Sequence, residues 1–343
     1  MFHLLRRAVI SALIATCLCL PACNSGSSFS PAASPVEQQK PSTAKRSTSP
    51  CPCLYVANLG SNTVTVYPIS ATGSVKPIET ISGSKTGLTN PVAVALDASG
   101  NIYVANQNGE FNDSVTVYAA GANGNVNPIR TIAGSNTTMN YVRGVALDSS
   151  ENVYVTNGSG GPSGSGSITV YAAGANGDVA PINTIAGSNT GLVAPLALAV
   201  DTSNTIYVPN FNTATLTVYA ASATGNVAPI QTIGGTRTRI FDPFQVAVGG
   251  GSIYVANSAA YSITSYPAGA NGDVKPSWTI HGRKTKLNDP SGVALDASAN
   301  VYAANANNSI TVYAPGIVSN VSPIRTIKGA RTKLNSPIGI AIH

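Results

Sequence analysis

The chain has 343 residues, of which 43% are hydrophobic and only 9% charged, against roughly 25% charged in an average soluble domain. Three histidines and thirteen acidic residues leave almost no raw material for a Ser/His/Asp triad or a multi-histidine metal site. The formal net charge of +6 is modest, and no interleaving of basic and aromatic residues supports nucleic acid as a partner.

In chain order, Arg6 and Arg7 precede a thirteen-residue apolar stretch from Ala8 to Leu20, followed by Pro21, Ala22 and Cys23. The stretch is too short to span a bilayer as a helix, and the pattern resembles a bacterial lipoprotein signal with its lipobox. That resemblance implies cleavage after residue 22 and acylation of Cys23. Loss of Arg6 and Arg7 would leave seventeen basic residues against thirteen acidic, a net charge of +4. Residues 23–52 are rich in Ser, Pro, Ala, Gln and Lys without apolar periodicity, which predicts a flexible tether. Asn24 is not the aspartate that often retains lipoproteins at the inner membrane, so the resemblance implies the outer membrane or cell surface. Cys17 and Cys19 fall inside the signal, leaving Cys51 and Cys53. A Cys-Pro-Cys is too tight for relaxed disulfide geometry and too small for a metal site, so a strained disulfide or two thiols remain open.

From residue 53 to 343 a four-part phrase repeats six times, with a period of about 48 residues that demands a repeat architecture. The first element, YVAN or close to it, begins at Tyr55, Tyr103, Tyr154, Tyr207, Tyr254 and Tyr302. The second ends on Tyr67, Tyr118, Tyr171, Tyr219, Tyr266 and Tyr313. A third, PI-x-TI in most copies, ends fourteen residues later, and a fourth of the type GVALD ends sixteen after that. Each element is a short run of Val, Ile, Tyr and Thr bounded by Gly, Asn, Pro or Asp, and reads as a strand. The expectation is all-β: a six-bladed propeller of four-stranded antiparallel blades. Because the chain starts on the first element and ends on the fourth, the C-terminal strand, Ile338 to Ile342, should close the ring in the blade that starts at Leu54. Small pairs such as Ala93 with Ala95 and Gly292 with Ala294 suit the crowded axis, and Gln245 is the exception.

The phrase P-x-GVALD-x-SGN-IYVAN followed by S-x-TVY resembles the NHL repeat of bacterial six-bladed propellers, and covers residues 53–343. Family members usually end the YVAN-type strand in Asp. Here Asn58, Asn106, Asn157, Asn210, Asn257 and Asn305 stand instead, which reads as a neutral turn cap in place of a charged one. The resemblance implies architecture and leaves the chemistry open, because propellers host enzymes, scaffolds and ligand binders.

Propeller hydrolases and lactonases generally hold a divalent metal near the channel mouth with Glu, Asp and Asn. The corresponding first positions of the innermost strands are Val92, Arg143, Leu196, Phe244, Ser291 and Ile338, without a carboxylate. The recurrent Asp97, Asp148, Asp201 and Asp296 read as turn caps, and the repeated tyrosines as blade packing. No catalytic residue, metal site or cofactor is expected. Tyr141, Tyr261 and the lone Trp278 break the repeat and are candidates for ligand contact.

Loop length varies almost only between the first and second elements, with insertions around Glu110 to Asp113 and from Gly158 to Gly166. That connection shares a face with the link from the third element to the next fourth. The link reads GSKTGL, GSNTTM and GSNTGL in the first three copies but GTRTRI, GRKTKL and GARTKL in the last three. Arg237, Arg239, Arg283, Lys284, Lys286, Arg331 and Lys333 should therefore form a cationic arc, with Lys85 next round the circle. Such an arc would attract lipopolysaccharide phosphate, an acidic polysaccharide or an acidic envelope protein. Basic residues beside outermost strands also serve to keep edges from pairing between molecules. The sequence thus predicts a lipid-anchored, non-catalytic binding or scaffold module, with a lactonase- or lyase-type propeller enzyme as the alternative.

Overall fold

The computed structural model describes residues 52–109, 112–158 and 166–343. Cys23, Cys51, the signal and almost all of the tether lie outside them, as do Glu110, Phe111 and most of the Gly158 to Gly166 run. Twenty-four strands form six antiparallel four-stranded sheets. Blade I holds β1 (Cys53–Asn58), β2 (Thr63–Pro68) and β3 (Glu79–Ile81). Blade II holds β4 (Pro91–Leu96), β5 (Ile102–Asn106), β6 (Ser114–Tyr118) and β7 (Arg130–Ala133). Blade III is β8 (Val142–Leu147), β9 (Val153–Asn157), β10 (Ser167–Tyr171) and β11 (Asn183–Ile185). Blade IV is β12 (Ala199–Val200), β13 (Ile206–Asn210), β14 (Thr215–Tyr219) and β15 (Gln231–Ile233). Blade V is β16 (Pro243–Gly249), β17 (Ser252–Asn257), β18 (Ser262–Pro267) and β19 (Trp278–Ile280). Blade VI is β20 (Pro290–Leu295), β21 (Val301–Asn305), β22 (Ser309–Tyr313) and β23 (Arg325–Lys328). The last strand, β24 (Pro337–Ile342), pairs with β1 as the innermost strand of blade I. Cys53 and His343 exchange backbone hydrogen bonds of 3.0 and 3.1 Å across that closure. The ring is a six-bladed β-propeller.

Strand alternation places apolar side chains on both faces of each blade, so the core is a set of layers between neighbouring blades. Val104 and Ile102 of blade II, for example, pack with Val64, Val66 and Ile81 of blade I. The tyrosine ending each second strand is fully buried in all six copies. Its hydroxyl donates to the carbonyl of a threonine in the link arriving from the preceding blade: Tyr118 to Thr86 and Tyr171 to Thr137 at 2.6 Å, Tyr219 to Thr190 at 2.6 Å, Tyr313 to Thr285 at 2.7 Å, with Tyr67 to Thr332 and Tyr266 to Thr238 alike. Six equivalent bonds thus tie each blade to its neighbour, each contributing about 1 kcal/mol net.

Buried asparagines end each first strand and bond in two directions. Asn106 donates from Nδ2 to Thr116 Oγ1 at 3.0 Å and accepts from the Thr89 N–H at 3.3 Å. Asn58, Asn210, Asn257 and Asn305 do the same toward Thr65, Thr217, Thr264 and Thr311 and toward their own links. A carboxylate could accept but not donate. The residue is a buried clamp between strand and link, where the sequence suggested a turn cap.

The third strand is shorter than the PI-x-TI phrase suggested. Only the last three or four residues pair, and the preceding isoleucines, Ile78, Ile129, Ile182, Ile230 and Ile324, are 46 to 62% exposed on the outer rim. The segment leading to them instead reaches back to the preceding blade. Gly124 forms a parallel bridge with Ile81, and equivalent bridges join Gly177 to Ile132, Gly225 to Ile185, Gly272 to Ile233, Ser319 to Ile280 and Gly73 to Ile327. This latch occupies the free hydrogen-bonding edge of every outermost strand. The glycine opening each link, such as Gly134 or Gly187, has φ of 124 or 131°, and a Cβ there would fall 2.3 to 2.4 Å from the latch side chains Asp178 or Asn226. Hence the G in GSxT.

Candidate binding face

The links carry the predicted arc. In each, the threonine side chain turns back onto the carbonyl of the opening glycine, as Thr285 Oγ1 does to Gly282 at 2.6 Å, and the latch caps the next N–H. Asn125 accepts from the Lys85 N–H at 2.8 Å, Asp273 from Arg237 at 2.7 Å, Asn320 from Lys284 at 2.7 Å and Ser74 from Arg331 at 3.3 Å. With the backbone satisfied in this way, the intervening side chains point outward. Arg237, Arg239, Arg283, Lys284, Lys286, Arg331, Lys333 and Lys85 are all exposed. The first seven lie on three consecutive links of the ring, leading from blade IV to V, V to VI and VI to I.

One position within these links requires a left-handed backbone. The links leaving blades I and III supply Gly87 (φ 70°) and Gly191 (φ 69°) there and the link leaving blade II supplies Thr138 (φ 56°), whereas the basic links supply Arg239 (φ 59°), Lys286 (φ 61°) and Lys333 (φ 59°). An L-residue with a Cβ in this region costs about 1 kcal/mol or more relative to glycine. Three long cations are therefore placed at sites that local stability alone would give to glycine.

Beside the first basic link lies a rim cleft of about 520 Å³, lined by Arg237, Arg239, Lys275, Trp278 and His281, with Val318 and Ser319 of the next latch at its edge. Trp278 is half-buried and packs edge-on against Tyr254, ring centroids 5.3 Å apart. The reason for a tryptophan here is local. In blades II and VI the tyrosine of the first element donates to the turn aspartate (Tyr103 to Asp97 at 3.4 Å, Tyr302 to Asp296 at 3.2 Å), and an arginine of the third strand bonds its hydroxyl (Arg130 at 2.7 Å, Arg325 at 3.0 Å). Blade V has Gly249 in place of that aspartate, and Trp278 replaces the arginine. Tyr261, by contrast, sits exposed in the tight turn between β17 and β18, outside this cleft.

The aspartates are structural ligands of their own turns. Asp97 Oδ1 accepts from the Ser99 and Asn101 N–H groups at 2.9 Å and Oδ2 from Asn101 Nδ2 at 2.7 Å, and Asp148 and Asp296 repeat the pattern. Along the axis, Gln245 crosses between strands, accepting from the Val293 N–H at 3.0 Å and donating to the Ile340 carbonyl at 3.2 Å. The remaining channel cavity is about 60 Å³, and its lining carries no carboxylate. Among the described residues no three His, Cys, Asp or Glu side chains converge as a metal site would need.

No protein-family model matches the sequence, and no curated protein matches it either. Solved structures do share the fold. A protein of unknown function from Bacteroides caccae superposes with a TM-score of 0.60 at 12% identity, covering 85% of this chain and 98% of that one. A chain of a nidogen/laminin complex gives 0.59 at 12%, covering 85% and 98%. The WD40 propeller domain of Doa1 gives 0.53 at 12%, covering 79% and 78%. At this identity the likeness defines a β-propeller and no activity.

The sequence passed over a second concave region on this face. Arg143 is the only charged residue among the six first positions of the innermost strands, and Tyr141, Phe211 and Phe244 gather around it. Of these residues Tyr141 alone breaks the repeat in the sequence; the positions of Arg143, Phe211 and Phe244 differ from copy to copy.

Proposed function

We propose that this chain is a lipid-anchored, NHL-like propeller of the cell envelope, acting as a non-catalytic binding module for an anionic polysaccharide. The observation that carries the reading is the rim cleft, where Trp278 shares one surface with Arg237, Arg239, Lys275 and His281. A half-buried aromatic among cations suits an acidic sugar: the ring covers the apolar face of the pyranose, and guanidinium groups take the carboxylate or sulfate. The basic links beyond it would extend the track to a longer chain. The simplest competing explanation, that the cations keep sheet edges apart, loses its purpose because the latch already occupies each edge.

Anchoring and location rest on the sequence signal alone, Arg6 and Arg7, the apolar stretch and Cys23. Metabolic labelling with a fatty acid should mark the chain and lose the mark in Cys23→Ser. For the binding role, the full chain is compared with a variant bearing Gln at Arg237, Arg239, Arg283, Lys284, Lys286, Arg331 and Lys333 in capture from envelope extract and from purified surface glycans. Salt-sensitive glycan capture lost in the variant supports the reading. Capture of an acidic protein alone would transfer the arc to a protein partner, and equal capture by both chains would remove it from the arc.

A further inference from the structure

The channel mouth at blades III to V departs from the repeat in several ways that meet in one place. In the other copies the third letter of YVAN is Ala or Thr, but blade IV has Pro209. Its carbonyl accepts from the Leu196 N–H at 3.1 Å, so its missing N–H lies on the side of the innermost strand, since both groups of a strand residue point the same way. That strand is correspondingly reduced to β12, two residues long. The segment before it is held by its neighbours: Ala197 N–H donates to the Phe244 carbonyl at 3.2 Å, and Thr156 Oγ1 donates to the Leu196 carbonyl. The ladder is interrupted between the Pro195–Asn210 bridge at the mouth and Ala199, where regular pairing resumes, and a pocket of about 430 Å³ lies at that mouth.

The walls of this pocket are Leu196, Phe211 and Phe244, with Tyr141 and Ala194 at the rim and Arg143 on one side. Phe211 and Phe244 meet edge to face at 6.3 Å. Tyr141 and Ala194 occupy a left-handed position, φ 54 and 50°. At the equivalent place the other blades use Asn90, Asp242, Asp289 and Ser336, three of them Asn or Asp, which tolerate that conformation best. Tyr141 and Ala194 are the two apolar or aromatic residues in that set, and both line the pocket. Arg143 is half-buried, and one N–H bonds Gln107 Oε1 at 3.3 Å. The nearby Asp113 carboxylate is taken by backbone groups, accepting from Asn108, Gly109 and Val142 at 2.6, 3.1 and 2.8 Å. Burial lowers the Arg143 pKa, with Asp113 opposing that shift, and the guanidinium stays charged. A half-desolvated cation beside an apolar wall is what a carboxylate relieves most.

We propose that this pocket binds a small carboxylate borne on an aromatic or short acyl body, Arg143 taking the carboxylate while Phe211, Phe244 and Leu196 take the body. The volume falls in the range of small-molecule sites. The site is separate from the rim cleft and does not depend on the polysaccharide reading.

The test is calorimetric titration of the full chain with benzoate and hexanoate, and with benzamide and hexanol as uncharged counterparts. The expected result is one saturable site for each carboxylate, at least about tenfold tighter than its neutral partner, the ratio that loss of one charge-assisted bond represents. Arg143→Gln should remove that preference, bringing benzoate to the level of benzamide. Arg143→Lys, which keeps the charge without the fork, should retain part of it and shows that the site still folds. The seven-Gln arc variant should bind benzoate as the parent does. Absence of saturable carboxylate binding to the parent, an unchanged affinity in Arg143→Gln, or loss of benzoate binding in the arc variant would each overturn the proposal.

Discussion

The links entering blades II to IV and those entering blades V, VI and I share one backbone and differ in what they display. Both sets open on a glycine held against a latch side chain, turn on a buried threonine and pass a left-handed position. In the first set the displayed residues are Ser, Asn, Gly and Thr with a single Lys85, and in the second they are seven Arg and Lys. Identical geometry with different chemistry separates what the ring needs six times from what it needs once. Repetition here marks scaffold, and departure from repetition marks candidate function.

Scaffold changes should strike both sets alike, and the largest is the loss of closure. Deleting 338–343 removes the innermost strand of blade I together with the β1 pairing, and should abolish cooperative thermal unfolding of the propeller. An unchanged melt would show that the ring is not closed through β24. Next in size are Asn106→Asp and Asn257→Asp, one near each set, which remove the Nδ2 donor and bury a carboxylate in a fully enclosed site. Each should cost about 2 to 4 kcal/mol in denaturant unfolding, and a large difference between them would break the equivalence of the two halves.

The tyrosine ring gives a pH window. Burial pushes Tyr67, Tyr118, Tyr171 and Tyr266 up to about 12, and raises Tyr219 and Tyr313 as well. In the unfolded chain these phenols titrate near 10. Between pH 10 and about 12 the folded state therefore keeps protons that the unfolded state has lost. The stabilisation is fully present below pH 10 and falls as pH rises through that window. Phenolate absorbance from these six should rise together with unfolding, and their titration near pH 10 in a still-folded ring would contradict the shared burial.

The smallest effect is the sharpest for the comparison. Lys286→Gly should stabilise the fold by about 0.5 to 1 kcal/mol, and Gly87→Lys should destabilise it by about as much. Chemical denaturation of the two variants reads both. Stabilisation by glycine at a position that carries lysine is what a residue kept for binding shows.

Much of this was legible in the sequence. Strand count, ring closure and the taper followed from spacing, because each strand's residues repeat with fixed intervals and the missing innermost strand could only come from the C-terminus. The arc was legible as well, since link length does not vary. What escaped was whatever depends on contacts between blades. The latch reads as an ordinary loop until Gly124 is seen beside Ile81, and the asparagines read as turn caps until both of their polar atoms find partners. The pocket at Arg143 escaped because its parts are spread over blades III, IV and V, and Pro209 acts on a strand that precedes it in the chain.

The central claim is that the second set of links carries charge for a polyanion and not for the fold. The most direct measurement is the affinity of a uronate polysaccharide for the full chain and for the seven-Gln variant at low and moderate salt, with thermal unfolding of both followed in parallel. The account predicts salt-dependent binding by the parent, loss of that binding in the variant, and an unfolding temperature in the variant at least equal to the parent's. Equal, salt-independent binding by both chains, or a variant that loses its fold along with its charge, would contradict it.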